Sequence, residues 1–287
     1  MMSVHAEAVK NIRNVASKRH ELVDMSLIRN LVMIKKNYPQ RRVAFVTGAS
    51  SGIGAAVALA LAKDNWDLAI SATRVENLEK TIKKIKDIGA RVFPVALDLR
   101  IQSSIDASIK NVTDTMGQLD MLVNNAAGVL YRSSVVDTKR EDWDAAIGTL
   151  LTGPFFMCQQ IGRYLIGAKR TGSIINIAST HGLVGFPGRS AYGISKAAII
   201  HMTRMLAIEW AEFGIRVNAV APGSTATEAN AALQADPKML NMLLARIPAR
   251  RIGTVEEIGA AVRYLASPEA AYVTGQTLIL DGGLTSY

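Results

Sequence analysis

Short apolar runs alternate with longer amphipathic stretches from Val43 onward. The runs are "VAFVT" (43 to 47), "LAISA" (68 to 72), "RVFPVAL" (91 to 97), "LDMLVN" (119 to 124), "SIINIAS" (173 to 179), "IRVNAVA" (215 to 221) and "TLIL" (277 to 280), and each predicts a strand. Helical spacing fills most of the gaps between them. Strands that are apolar on both faces and separated by helices predict a parallel sheet with helices over both sides. Right-handed crossovers wind such a sheet doubly and place ligands outside the carboxyl ends of its strands. The expected fold class is therefore α/β, one doubly wound domain over residues 42 to 287 with a seven-stranded parallel sheet. No repeat, low-complexity tract or linker interrupts it.

Ahead of this body the pattern changes. Ile12, Val15, Leu27, Leu31 and Ile34 recur at three- and four-residue steps and predict one or two amphipathic helices ending near "NYPQ", an N-terminal extension over residues 1 to 41. Charge sets this segment apart. Residues 1 to 42 hold nine Lys or Arg against Glu7, Glu21 and Asp24, so most of the net +9 sits here and only +3 belongs to the remaining chain. The body is thus electrostatically ordinary, and the overall charge is no argument for a nucleic-acid partner. Three readings of the leader are open: a helical extension that packs on the body or on a neighbouring subunit, a targeting peptide, or an over-long start with initiation at Met25 or Met33. Its acids argue against a transit peptide, and the packing extension is favoured.

Composition narrows the class further. With 49% hydrophobic residues the chain can bury a full core, and its single cysteine, Cys158 in the apolar run "GPFFMC", excludes an internal disulfide framework. No apolar stretch is long enough to span a bilayer and no secretory core is recognisable, so a cytoplasmic protein is expected. The four histidines form no ligand spacing, and no metal site is predicted.

The chemistry lies at the strand ends. The first strand runs into "TGASSGIG" (47 to 54), where Gly48, Gly52 and Gly54, with Ser50, Ser51 and Ile53 between them, lead directly into a helix. Glycines at such a turn let the backbone approach a pyrophosphate, and the helix N-terminus supplies N–H donors, which is the context a dinucleotide site requires. After the second strand stand Thr73 and Arg74, with no acid at the strand end to bind a ribose 2′-hydroxyl. NADP(H) is therefore favoured, and NAD(H) remains open. Further on, "AYGISK" sets Tyr192 and Lys196 one helical turn apart, where an ammonium can favour a phenolate. Spacing alone favours a solvated pair, and the rest of the chain has to decide.

Together "TGASSGIG", "NNAAG" (124 to 128), "AYGISK" with a serine thirteen residues before the tyrosine, and "APGSTAT" (221 to 227) resemble the short-chain dehydrogenase/reductase family, in its motif order and over about residues 43 to 284. The resemblance implies a Rossmann-type domain in which Ser179 binds the substrate oxygen, Tyr192 gives or takes the proton, and Lys196 lowers the Tyr192 pKa and holds the nicotinamide ribose. It also implies an adenine contact at Asp98 with Leu99 beside it, and a sheet-stabilising Asn124. Asn125, Ala126 and Gly128 would line the adenosine and ribose path. Pro222, Gly223 and Thr225 would shape the nicotinamide turn, and Thr227 would bind the carboxamide.

One position departs from the family. Leu150 stands where the family has an asparagine that orders a water in the proton relay, so the relay is expected to run through another group or the backbone; Thr149 and Thr152 lie nearby without obviously facing the site. Residues 225 to 251 fall where the family has its mobile substrate lid, and Leu233, Met239, Leu240, Met242, Leu243 and Leu244 make it apolar. His181 and Phe186 follow Ser179 closely and are candidates to line the pocket. The resulting expectation is an NADP(H)-dependent oxidoreductase interconverting a ketone and a secondary alcohol, with 3-oxoacyl thioester reduction as the closest likeness and a homotetramer built on the long helices. An NAD-dependent sugar or polyol dehydrogenase and a catalytically weak cofactor-binding protein are the alternatives.

Overall fold

The computed structural model describes residues 41–128 and 132–286. The predicted leader helices and the side chain of Leu233 in the lid lie outside the described residues. Seven strands form one all-parallel sheet: β1 (Val43–Val46), β2 (Asp67–Ala72), β3 (Val92–Ala96), β4 (Met121–Asn124), β5 (Gly172–Ile177), β6 (Ile215–Pro222) and β7 (Thr277–Leu280). Their order across the sheet is β3-β2-β1-β4-β5-β6-β7. The chain leaves β1 toward one edge and resumes at β4 toward the other, which opens a crevice at the carboxyl ends of β1 and β4.

Residues 42–287 form one compact unit. Its helices are α1 (Gly52–Lys63), α2 (Glu79–Asp87), α3 (Gln102–Met116), α4 (Arg140–Ile147), α5 (Gly153–Gly167), α6 (Ser190–Trp210), α7 (Ala231–Ala235), α8 (Pro237–Arg246) and α9 (Val255–Ala266). The period-two alternation of a strand divides each central strand between two cores. Val43 and Phe45 of β1 pack in one layer with Leu122, Ile174 and Val217, while Ala44 and Val46 pack in the other with Ile70, Val123 and Ile175. Burial on both faces is what made these runs continuously apolar.

The two edge strands differ from the expectation of apolar burial on both faces. Most of β3 is half-buried, and it carries Pro94, whose missing N–H is tolerated only where no further strand has to be bonded. On the opposite edge Leu278 and Ile279 of β7 are exposed. Among the described residues no helix is long and apolar enough to cross a membrane.

Candidate active site

The crevice begins at the turn between β1 and α1. Gly48 has φ +65°, and a Cβ there would lie 2.6 Å from Ala126 Cα; a Cβ on Gly54 would lie 2.2 Å from the Gly48 carbonyl oxygen. Only glycine fits either position. Asn125 pins this turn to the end of β4: its Nδ2 donates to the carbonyls of Thr47 and Gly48, each at 3.0 Å, while Thr47 Oγ1 accepts the Asn125 N–H at 3.0 Å. Asn125 was expected along the ribose path, but both its amide hydrogens are committed to the loop, so its side chain holds the cradle's shape. Ser51 makes no side-chain cap on α1 and the first turn carries no acid, leaving N–H donors and the positive dipole end toward the turn. A glycine-lined cradle with that donor set fits the pyrophosphate of a dinucleotide.

Beside the turn lies a cleft of about 330 Å³. Of the residues expected along the cofactor path, Gly48, Ser50, Thr73, Asp98, Leu99, Ala126 and Gly128 line it. Ser51, Gly52, Ile53 and Gly54 carry the chain from the turn into α1. Arg74 lies outside the wall, its side chain 78% exposed and 3.8 Å from Glu76. Asn77 instead reaches the wall next to Thr73. Asp98 is bridged by Arg100, whose Nε and Nη2 donate to its two oxygens at 3.0 and 2.7 Å, and this hydrogen-bonded cation holds the carboxyl below its ordinary range. Asn77, Arg100 and Thr149 all line the cleft and were not anticipated from sequence; nothing local to "RVEN" or "DLR" marks which polar side chain turns inward.

The second cluster forms at the end of β5. Ser179 is buried and caps a short 3-10 turn, its Oγ accepting the His181 N–H at 3.2 Å. Tyr192 lies in the first turn of α6 and Lys196 one turn later. Lys196 is buried, and its Nζ donates to the Ile177 carbonyl at 2.7 Å, so the strand end that presents Ser179 also anchors the ammonium. Burial lowers the Lys196 pKa to about 8, which still leaves the side chain mostly charged at neutral pH.

The ammonium lies 5.7 Å from the Tyr192 ring centre. Desolvation raises the phenol above its ordinary value and outweighs both its hydrogen bond with Ser179 and the charge of Arg189. In the protein alone Tyr192 is therefore a neutral phenol, and the expected lowering by Lys196 is not what dominates, because burial of the phenol does. His181 stacks on Phe186 at 4.0 Å and meets Tyr192 edge-on at 5.3 Å. Burial, with the nearby charges of Arg189 and Arg132, lowers its pKa to about 4, so it is neutral at physiological pH.

A third wall follows β6. Pro222 closes that strand, and the Gly223 N–H donates to Leu280 at 2.8 Å. Thr225 is buried with its Oγ1 donating to the Gly223 carbonyl at 3.2 Å. Thr227 Cγ2 lies 3.6 Å from where a Cβ on Gly52 would sit, so this segment meets the glycine turn. Within residues 225 to 251, Asp236 caps α8 by accepting from the N–H groups of Lys238 and Met239. No described residue of α8 is buried, and Met239 and Met242 are exposed.

Between α4 and α5 the helix widens into a π turn over Gly148–Thr152, with the Gly153 N–H reaching back to the Gly148 carbonyl. The extra residue changes which side chains face inward. Thr149 lines the cleft, its Cγ2 3.3 Å from where a Cβ on Gly128 would be, while Leu150 points into the core at 2% exposure. Thr149 thus does face the site, which helical numbering could not show. Among the described residues no group of three or more His, Cys, Asp or Glu is placed to hold a metal.

Known proteins resemble the chain over most of this architecture. A family model described as enoyl-(acyl carrier protein) reductase matches residues 48–285. The 3-oxoacyl-(acyl-carrier-protein) reductase FabG of Thermotoga maritima is 39% identical over 243 residues, which is 85% of this chain and 97% of that protein. Among solved structures, a short-chain type dehydrogenase/reductase from Mycobacterium marinum superposes with a TM-score of 0.81 at 31% identity, covering 86% of this chain and 96% of that one. A Phe-to-Trp variant of the actinorhodin polyketide ketoreductase, solved with NADPH, gives 0.82 at 33% identity over 86% and 98% of the two chains.

Proposed function

The chain belongs to the short-chain dehydrogenase/reductase family, and from that premise we propose that it is an NADP(H)-dependent oxidoreductase that reduces a ketone to a secondary alcohol, with 3-oxoacyl thioesters as the substrate class. The observation that carries the reading is the convergence at one strand end of a buried serine, a neutral phenol and a buried ammonium beside a cradle shaped for a dinucleotide.

The reduced nicotinamide supplies the hydride when bound. The rest is the work of this chain. Ser179 Oγ donates to the carbonyl oxygen and polarises it, and Tyr192 gives its phenolic proton to the same oxygen as the carbon is reduced. A phenol held neutral at rest is the form that reduction consumes. Lys196 stabilises the phenolate left behind, and a proton from water restores it. Leu150 offers no hydrogen bond, so the proton relay would run through another group or through backbone of the π turn.

Thr73 and Asn77 would receive the adenosine ribose, and Arg74, exposed at the rim, would close onto its 2′-phosphate. NADPH occupies the related ketoreductase of similar fold, which supports the same cofactor here. Asp98, Leu99, Ala126 and Gly128 would line the adenine side, and Pro222, Gly223, Thr225 and Thr227 the nicotinamide side. Residues 42–287 would be the catalytic domain, in a cytoplasmic homotetramer.

The test is NADPH consumption, with NADH in parallel, over a panel of 3-oxoacyl thioesters, diketones and keto sugars. Turnover with NADPH is expected, with Tyr192→Phe lowering kcat by about 10²–10⁴-fold while cofactor binding survives. Cofactor binding without turnover of any carbonyl or alcohol would overturn the enzymatic reading, and a preference for NADH untouched by Arg74→Asp would overturn the cofactor assignment.

A further inference from the structure

A serine hydroxyl has one hydrogen to give and two lone pairs to fill. In the proposed chemistry the Ser179 hydrogen goes to the substrate carbonyl, and a hydroxyl that rotates freely is a poor donor unless something fixes it. Two groups of one residue face its oxygen. The His181 N–H donates to Ser179 Oγ at 3.2 Å, and the His181 ring turns Nδ1 toward the same atom at 3.4 Å. The second distance is long, as hydrogen bonds at a reacting centre often are before substrate is seated.

The ring is held in that direction. It stacks on Phe186 at 4.0 Å with the two planes 23° apart, and it meets Tyr192 edge-on at 5.3 Å. Its backbone is held as closely: a Cβ on Gly193 would lie 2.9 Å from the His181 carbonyl oxygen, and a Cβ on Gly182 would lie 2.6 Å from the Lys196 carbonyl carbon. The turn that carries His181 therefore rests directly on the helix that carries Tyr192 and Lys196.

What the ring does to the serine depends on which nitrogen holds its hydrogen. His181 is neutral at physiological pH, so one ring nitrogen carries a hydrogen and the other is bare. A bare Nδ1 would draw the serine hydrogen to itself and turn it from the carbonyl. An Nδ1–H instead fills the second lone pair of Oγ, beside the backbone N–H, and leaves the hydroxyl hydrogen the direction of Tyr192 and the substrate. The hydrogen bond with Ser179 favours the phenolate form of Tyr192, which requires a serine that donates that way.

We propose that His181 is a positioning residue for the reduction: its Nδ1–H and its backbone N–H together hold Ser179 Oγ so that the hydroxyl hydrogen points at the substrate carbonyl. The proposal rests on the ketone-reduction reading and adds to it the residue that orients the polarising serine. A role in packing alone, between Phe186 and Tyr192, is the competing outcome of the test.

Two measurements on the full-length, NADPH-saturated protein decide it. The first needs no turnover: with nitrogen-15-labelled histidine, the ring signals of His181, assigned by their loss in His181→Asn, should show a hydrogen on Nδ1 and a bare Nε2. A bare Nδ1 overturns the proposal. The second compares kcat on a 3-oxoacyl thioester. His181→Phe keeps the stack and removes the donor, and kcat should fall about tenfold with KM within about threefold, the size of one net hydrogen bond. His181→Asn removes the stack but puts an amide N–H where Nδ1 stood, one bond from Cγ, and should recover most of that loss. In Ser179→Ala, which has no hydroxyl to hold, adding His181→Phe should change kcat by no more than about twofold. If phenylalanine is the active replacement and asparagine the slow one, the ring acts by packing; if the loss at His181 persists without Ser179, it acts through another group. Either result sinks the proposal. Should no carbonyl compound turn over, the ketone-reduction reading fails by itself, and the nitrogen signals still decide whether His181 donates to Ser179.

Discussion

Lys196 ties the proposed chemistry to pH. With its pKa near 8, the ammonium is present at neutrality and lost as pH rises through that value. The rate of ketone reduction should therefore fall on the alkaline side of about pH 8, and Lys196→Met should be slow at every pH; an unchanged alkaline limb in that variant would assign the titration elsewhere. Stability runs the other way. Because the unfolded lysine keeps its proton up to about 10.5, the unfolded chain binds more protons than the folded one between about 8 and 10.5, and this group's contribution to stability rises with pH across that window. His181 carries a second prediction of the same sign at lower pH. Its pKa is lowered to about 4 from 6.5, so its contribution is complete above 6.5 and is lost as pH falls toward 4. Melting curves over that range should show a shallower acid decline in His181→Gln than in the wild type. Of these residues, Ser179, Tyr192 and Lys196 were legible from motif order, since all three sit within eighteen positions on one strand end and one helix. The environment that sets their protonation was not, because burial is a property of the packed chain.

Two elements turn local sequence into the shape of the cleft. The glycine turn tolerates no side chain at Gly54, so Gly54→Ala must push the Gly48 carbonyl aside from 2.2 Å contact. NADPH affinity, followed by cofactor fluorescence, should weaken at least about tenfold, and an unchanged Kd would show that the turn can relax without cost. The π turn is the other. Leu150 fills core space from it, and Leu150→Ala should cost roughly 2–5 kcal/mol of stability as a buried large-to-small change. Its kcat should stay within about threefold, because the side chain takes no part in the relay; a large loss of kcat at unchanged melting temperature would contradict that. The glycine turn could be read directly, as its spacing sits between a strand and a helix. The π turn could not, since one inserted residue leaves no mark in hydrophobic periodicity, and it is what turns Thr149 toward the cleft.

At the scale of the molecule, apolar surface remains on two sides. A groove of about 870 Å³ between α5 and α6 is lined by Phe155, Met202, Met205 and Trp210, with Ile208 78% exposed beside it. The β7 edge exposes Leu278 and Ile279 on the other side. The proposed dimer of dimers would bury two such faces. Ile208→Glu is expected to halve the mass measured by light scattering, from four copies to two, and a monomeric wild type or an unaltered variant mass would remove the assembly proposed here. By itself the sequence determined the parallel sheet, the glycine turn and the serine, tyrosine and lysine in their order, because strand and helix periodicities and tight turns are encoded within a few residues of one another. Only the tertiary structure decided that Asn77, Arg100 and Thr149 line the cleft, that Asn125 braces the turn, and that His181 packs between Phe186 and Tyr192. Most of those contacts join residues far apart along the chain, and their geometry depends on loop paths and packing that no local pattern records.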